Sequence, residues 1–137
     1  SSRRVMPGVR CQLSSGIFMG RVFHSEEDLL FLLGEYDQLI LKCVSGRISF
    51  QKFLYSYGDF YMVYALDGHE SDPGERKLFE THEDRIAPHR EIWESILAGG
   101  LCSDEDARRE SYIQAGRFGS DEGMRRLKEI SERHLAS

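Results

Sequence analysis

Over most of this chain apolar residues return at steps of three and four, the period of a helix that buries one face. Ser25-Glu26-Glu27-Asp28 is followed by Leu29, Leu30, Leu32 and Leu33. A Ser with an acid three residues on is a capping-box pattern, here with Asp in place of the usual Glu. The helix it opens is predicted to run to about Val44 and to stop at Ser45-Gly46. Ser49 reads as the next N-cap, with Ile48 before it and Phe53 four residues after it, the spacing of a hydrophobic staple. Phe50, Phe53, Leu54, Tyr57, Phe60, Tyr61 and Tyr64 then form one aromatic stripe, interrupted by Gly58. Such a stripe is read as core, with tyrosine hydroxyls reaching its rim.

Asp72-Pro73-Gly74-Glu75 opens another helix. Asp72 caps it, Pro73 takes the first helical position and Glu75 is the box acid. Leu78, Phe79 and Ile86 are expected to face inward. Pro88 is expected to restart the chain, because the residue before a proline is biased away from the helical region. Ile92, Trp93, Ile96 and Leu97 make a short apolar face that ends at Gly99-Gly100. Ser103 repeats the capping pattern, Tyr112 and Ile113 follow, and Gly116 stops that helix. Ser120-Asp121-Glu122 opens the last helix, with Met124, Leu127 and Ile130 inward and Arg125, Arg126 and Lys128 outward. The exception is residues 5–23, where Val9, Cys11 and Leu13 alternate as in a strand and suggest a short β-hairpin or extended arm. The expected fold is therefore all-α. A bundle of five to six helices spans residues 24–137, and residues 1–23 form an N-terminal arm or hairpin.

Composition agrees with one globular domain. The chain has 137 residues, 40% hydrophobic and 30% charged, within the range of an ordinary folded protein. The longest apolar run, Phe60 to Leu66, falls well short of the roughly 18 residues of a membrane span. No signal-peptide pattern precedes the domain. Cys11, Cys43 and Cys102 are odd in number and form no CxxC pair, which argues against a disulfide framework or a thiolate metal site and suggests a reducing, cytoplasmic setting.

Charge changes the picture more. Residues 1–23 hold four Arg and no acid, whereas residues 59–84 hold eight acids against Arg76 and Lys77, a local net of −6. An acidic block repels phosphates, so nucleic acid is not an expected partner and a basic protein is.

His69, Glu70, Asp72, His82, Glu83, Asp84 and His89 are the candidate metal ligands. A zincin pattern needs a second His four residues after the first, but those places hold Pro73 and Ile86. A bundle di-iron site needs Glu-x-x-His, and no His here has a Glu three residues before it. The histidines are expected at the surface or at caps. No GxSxG and no known phosphate loop occurs. Gly116-Arg117-Phe118-Gly119 could form an anion nest before the last helix, or simply a tight turn.

Two stretches carry a resemblance. Ser45-Gly46-Arg47-Ile48-Ser49-Phe50-Gln51-Lys52-Phe53 resembles a helix start of the colicin D-type immunity proteins. Ala115-Gly116-Arg117-Phe118-Gly119-Ser120-Asp121 is similar to a motif near that family's C-terminal helix. The similarity covers roughly residues 39–135. It implies a small helical protein that blocks a cognate RNA-cleaving toxin, with acidic side chains in a basic cleft. By charge, Asp67, Glu70, Asp72, Glu80, Glu83 and Asp84 are the expected partner-binding residues of a non-enzymatic protein without a cofactor. The alternatives are a helical adaptor or self-assembly domain, and a metal-dependent enzyme using His69, His82 and His89.

Overall fold

The computed structural model describes Phe23 and residues 25–135. The expected hairpin at residues 5–23 lies outside the described residues except for Phe23. The described chain is all-α.

α1, Glu26–Val44, starts as its sequence predicts: Ser25 Oγ accepts the Asp28 N–H at 3.2 Å. Its inward stripe is Leu29, Leu32, Leu33, Ile40 and Cys43. The short turn at Gly46 then feeds α2, Phe50–Tyr57, where Ser49 Oγ accepts the Lys52 N–H. The aromatic stripe breaks at Gly58, whose φ of 54° and ψ of −145° suit a residue without a Cβ. A single turn, α3 (Phe60–Val63), carries the stripe onward. Fragmentation does not cost the stripe its burial: Phe53, Tyr57, Phe60 and Tyr61 are all buried. The Tyr36 and Phe60 rings stack at 3.8 Å between centroids, and the Tyr57 ring stands edge-on to Phe60 at 5.2 Å. Aromatic packing of this kind adds about 0.5–1.5 kcal/mol per pair beyond area burial.

α4, Pro73–Thr81, starts at Asp72, whose Oδ1 accepts the Glu75 N–H at 2.7 Å. Pro88 does not restart the chain as its sequence context suggests. It lies inside α5, Glu83–Ile92, and the break falls earlier, at His82. The missing proline N–H would have bonded the carbonyl of Asp84, in the exposed first turn where solvent can serve it. Ile86 and Ile92 on the same helix have no exposed surface. At about 1.5–3 kcal/mol each, their burial outweighs the roughly 3 kcal/mol that an interior proline costs. α5 runs on into one wide turn over Trp93–Leu97, closed by Ala98 N–H to the Trp93 carbonyl at 2.7 Å.

Ser103 caps as expected, accepting the Asp106 N–H, but no full helix follows. A 3₁₀ turn over Asp106–Arg108 leads to the short α6, Glu110–Gln114. Ile113 is 52% exposed, because the polar run 103–111 offers no stripe to bury. The last helix, α7, spans Ser120–His134 and packs against α1 and α5. Its Leu127 and Ile130 are buried as expected. Arg126 is not outward: its guanidinium lies 4.1 Å over the Phe118 ring and donates to the Ser95 carbonyl at 2.6 Å. α7 also approaches α2 closely, since a Cβ on Gly123 would meet the Phe50 ring at 2.7 Å.

Candidate functional site

The six acids singled out by charge occupy one continuous stretch, from the loop after α3 to the first turn of α5. They are not equivalent. Asp67 and Glu70 flank His69, which contacts Asp67 through Nδ1 and approaches Glu70 at 3.5 Å through Nε2. The Asp67 contact raises the His69 pKa. Burial alone would raise the Asp67 carboxyl, but hydrogen bonds from His69 hold it below its ordinary value. Asp72 serves as the α4 cap. Glu83 is paired with Arg90, whose Nη2 donates to it at 2.6 Å. Glu80 and Asp84 are exposed and have no ion pair to a described residue. The loop also holds Ser71, whose buried Oγ has no hydrogen-bond partner among the described residues.

His82 sits at the junction of α4 and α5, and its Nε2 contacts Glu26 of α1. This contact brings the first turn of α1, with Glu26, Glu27 and Asp28 all exposed, to the junction that carries Glu80, Glu83 and Asp84. The acidic surface is thus built from two segments more than 50 positions apart in sequence. Acids in the first turns of α1 and α5 lie where the helix dipole favours negative charge.

Glu75, read from sequence as a box acid, is 2% exposed. Its Oε2 accepts the backbone N–H of Phe23 at 2.8 Å. The Phe23 ring is buried against Tyr64 at 5.8 Å and Phe79 at 6.1 Å between centroids.

A second cluster lies in the core. His89 has no exposed surface, which corrects the expectation of a surface or cap histidine. Its Nε2 is 2.7 Å from Asp37 Oδ1 and its Nδ1 is 2.6 Å from the Tyr57 hydroxyl. Arg85 Nη2 donates to the other Asp37 oxygen at 3.0 Å. A carboxylate only accepts, so the His89 Nε2–H donates to Asp37. In the neutral ring Nδ1 then accepts from the tyrosine. Burial, then the nearby charge of Asp37, pushes the Tyr57 hydroxyl pKa well above its ordinary value. Arg85 and His89 are four apart on α5 and reach one carboxylate on α1, so the network joins two helices. An Asp-His-Tyr chain resembles a general-base relay, but Tyr57 is 2% exposed and offers no surface to a substrate.

The remaining candidates fill themselves. The backbone before α7 does bind an anion, and that anion is internal. Asp104 Oδ1 accepts the Ser120 N–H at 2.7 Å, and Ser120 Oγ donates to Oδ2. Ser120 therefore does not cap α7; Asp104 does so from 16 residues upstream. Phe118 is buried and pairs its backbone with Gly100 and Cys102. Between α5 and α7 an open groove is lined by Glu91, Glu94, Arg125, Arg126, Glu129 and Arg133, but Arg133 is paired with Glu91 and Arg125 with Glu129. Among the described residues no three His, Cys, Asp or Glu side chains come together as a metal would require; His69, His82 and His89 each pair with a different carboxylate.

Asp37 has no part in the expectations from sequence, and the burial of His89 and Glu75 is not among them. Their signal is register: Asp37 continues the stripe of Leu29 and Leu33, His89 lies between Ile86 and Ile92, and Glu75 is four residues before Phe79. A polar residue on an apolar stripe marks a buried hydrogen-bonded group. Comparison with protein-family models, with curated proteins and with solved structures finds no match to this chain.

Proposed function

We propose that this chain is a non-enzymatic helical binding protein that takes a basic protein surface on its acidic face, in the manner of an immunity protein blocking an RNA-cleaving toxin. The observation that carries this reading is the contact of His82 with Glu26, which adds the acids of the α1 start to those of the α4–α5 junction. The two motifs resembling colicin D-type immunity proteins supply the class of partner. A surface of one sign accelerates encounter with a partner of the other and rejects competing polyanions.

The test uses two group variants, D67N/E70Q/D72N and E80Q/E83Q/D84N. Asn at position 72 keeps a capping side chain. A basic ribonuclease recovered on the immobilised chain from its native source should associate with each variant about tenfold more slowly at low ionic strength, with the difference shrinking as salt rises. An association rate indifferent to salt and to both variants refutes the reading. Phe31 and Tyr55 are exposed, as a self-assembling face would require; a molecular size that grows with concentration would favour that second reading.

A further inference from the structure

The outward side of α1 carries apolar residues that the bundle does not use. Phe31 is 58% exposed. Among the described residues, neither Leu30 nor Leu41, both half-buried, packs against the core. A helix that is apolar all round is normally covered all round. On this outward side Glu27, Phe31, Gly34, Gln38, Leu41 and Ser45 are spaced alternately four and three apart, the spacing of a coiled-coil seam, and Leu30 flanks it. The seam runs roughly 27 Å along the helix. Gly34 lies near its middle, with nothing within 4 Å of the place a Cβ would take. Glycine weakens a helix interior, and its use there is to let another backbone come close.

We propose that a second copy of this chain docks on the seam, so that two α1 helices pair antiparallel about a two-fold axis. The inference rests on the self-assembling reading and gives that reading its face; Asp67, Glu70, Asp72, Glu80, Glu83 and Asp84 all lie off α1. Charge selects the occupant and its direction. α1 opens with Glu26, Glu27 and Asp28 and closes with Lys42, and Arg47 follows, all of them exposed. Two copies laid parallel would set the acidic turns side by side. Laid antiparallel, each acidic turn meets the basic end of the other copy, and the helix dipoles align favourably. In that register Phe31 faces Leu41 of the second copy, Gln38 fills the notch at Gly34, and Asp28 faces Lys42. Each contact occurs twice by the symmetry. The one opposing pair is Glu35 against its own copy at the axis. A single helix pair buries less than a standard interface, so the dimer is weak and reversible and assembles at micromolar concentrations and above.

Sedimentation velocity of the full chain, from micromolar to millimolar concentration, should show a mass that rises from one copy towards two. Phe31→Glu and Leu41→Glu should each weaken the dimer about tenfold. Both change side chains outside the core, so folding, checked by circular dichroism, is retained. Tyr55→Glu places the same charge on the outward side of α2, where Tyr55 is exposed, and should leave the dimer unchanged. Asp28→Lys and Lys42→Asp should each weaken it about threefold, and the two combined should restore it. Glu35→Gln should tighten it about threefold by removing the opposing pair. A chain that keeps the mass of one copy at every concentration overturns the proposal and leaves the seam to a different partner. A mass that grows with concentration but ignores Phe31→Glu and Leu41→Glu also overturns it, while self-assembly survives on another face. A charge swap that fails to restore the dimer overturns the antiparallel pairing.

Discussion

Replacing Tyr57 with Phe isolates one hydroxyl at the centre of the core. The ring keeps its packing against Phe53 and Phe60, at 4.7 and 5.2 Å. What is lost is the 2.6 Å bond to His89 Nδ1, and His89 has no exposed surface through which water could replace it. The net value of a hydrogen bond is about 1 kcal/mol, but a buried partner left unsatisfied adds its desolvation cost, about 1–3 kcal/mol. The expected destabilisation is therefore about 2 kcal/mol. For a chain of this length, that lowers the melting temperature by roughly 6–8 °C. Urea unfolding followed by circular dichroism measures it, with an unchanged m-value showing that only stability has moved. Tyr55→Phe is the control, because Tyr55 is 86% exposed and its hydroxyl bonds water in either state. Combining Tyr57→Phe with Asp37→Asn in a double-mutant cycle should reveal coupling of at least about 0.5 kcal/mol. If Tyr57→Phe costs no more than Tyr55→Phe, the buried chain from Arg85 to Tyr57 does not hold α1, α2 and α5 together.

Four further outcomes follow from the geometry. Gly58→Ala should cost about 1–3 kcal/mol in urea unfolding, since φ 54°, ψ −145° is strained for any residue with a Cβ; a neutral result would mean that the α2–α3 break can relax. Ser71→Ala should leave stability unchanged or raise it by up to about 1 kcal/mol, because it removes a buried hydroxyl without a described partner, and a clear loss would reveal one. Asp104→Ala should lower the unfolding midpoint by uncapping α7, with Asp104→Asn recovering most of the loss; equal effects of the two would show that charge, not the cap, matters. His69 should titrate above the ordinary histidine value, because Asp67 favours its charged form. The stability this adds is fully present below the ordinary value and disappears as pH rises through the raised one. In Asp67→Asn the NMR titration of His69 should move back down, and an unmoved midpoint would rule the pair out in solution.

Most helix starts were legible in the chain, because capping is local chemistry. Ser25, Ser49 and Asp72 each accept an N–H from three residues on, and nothing distant is needed for that. The burial of Leu29, Phe53, Leu127 and Ile130 was equally legible from period alone. Pro88 was misread because its local bias was outweighed by the burial of Ile86 and Ile92, which only the packed core supplies. α7 starts at Ser120 as its sequence predicts, but its cap comes from Asp104, across a turn that local spacing does not register.

The candidate site divides in the same way. Sequence by itself determined that residues 59–84 are acidic, that the N-terminal segment is basic, and that no histidine has metal-ligand spacing on a single helix. Charge and periodicity are properties of the chain and survive any fold. Only the tertiary structure decided that Glu26 meets His82, that Asp37, His89 and Tyr57 meet in the core, and that Glu75 turns inward to hold Phe23. Each of these joins residues between 32 and 56 positions apart. Such pairings form when helices dock, because burying a polar group demands a partner and the packing of the helices decides which one is within reach.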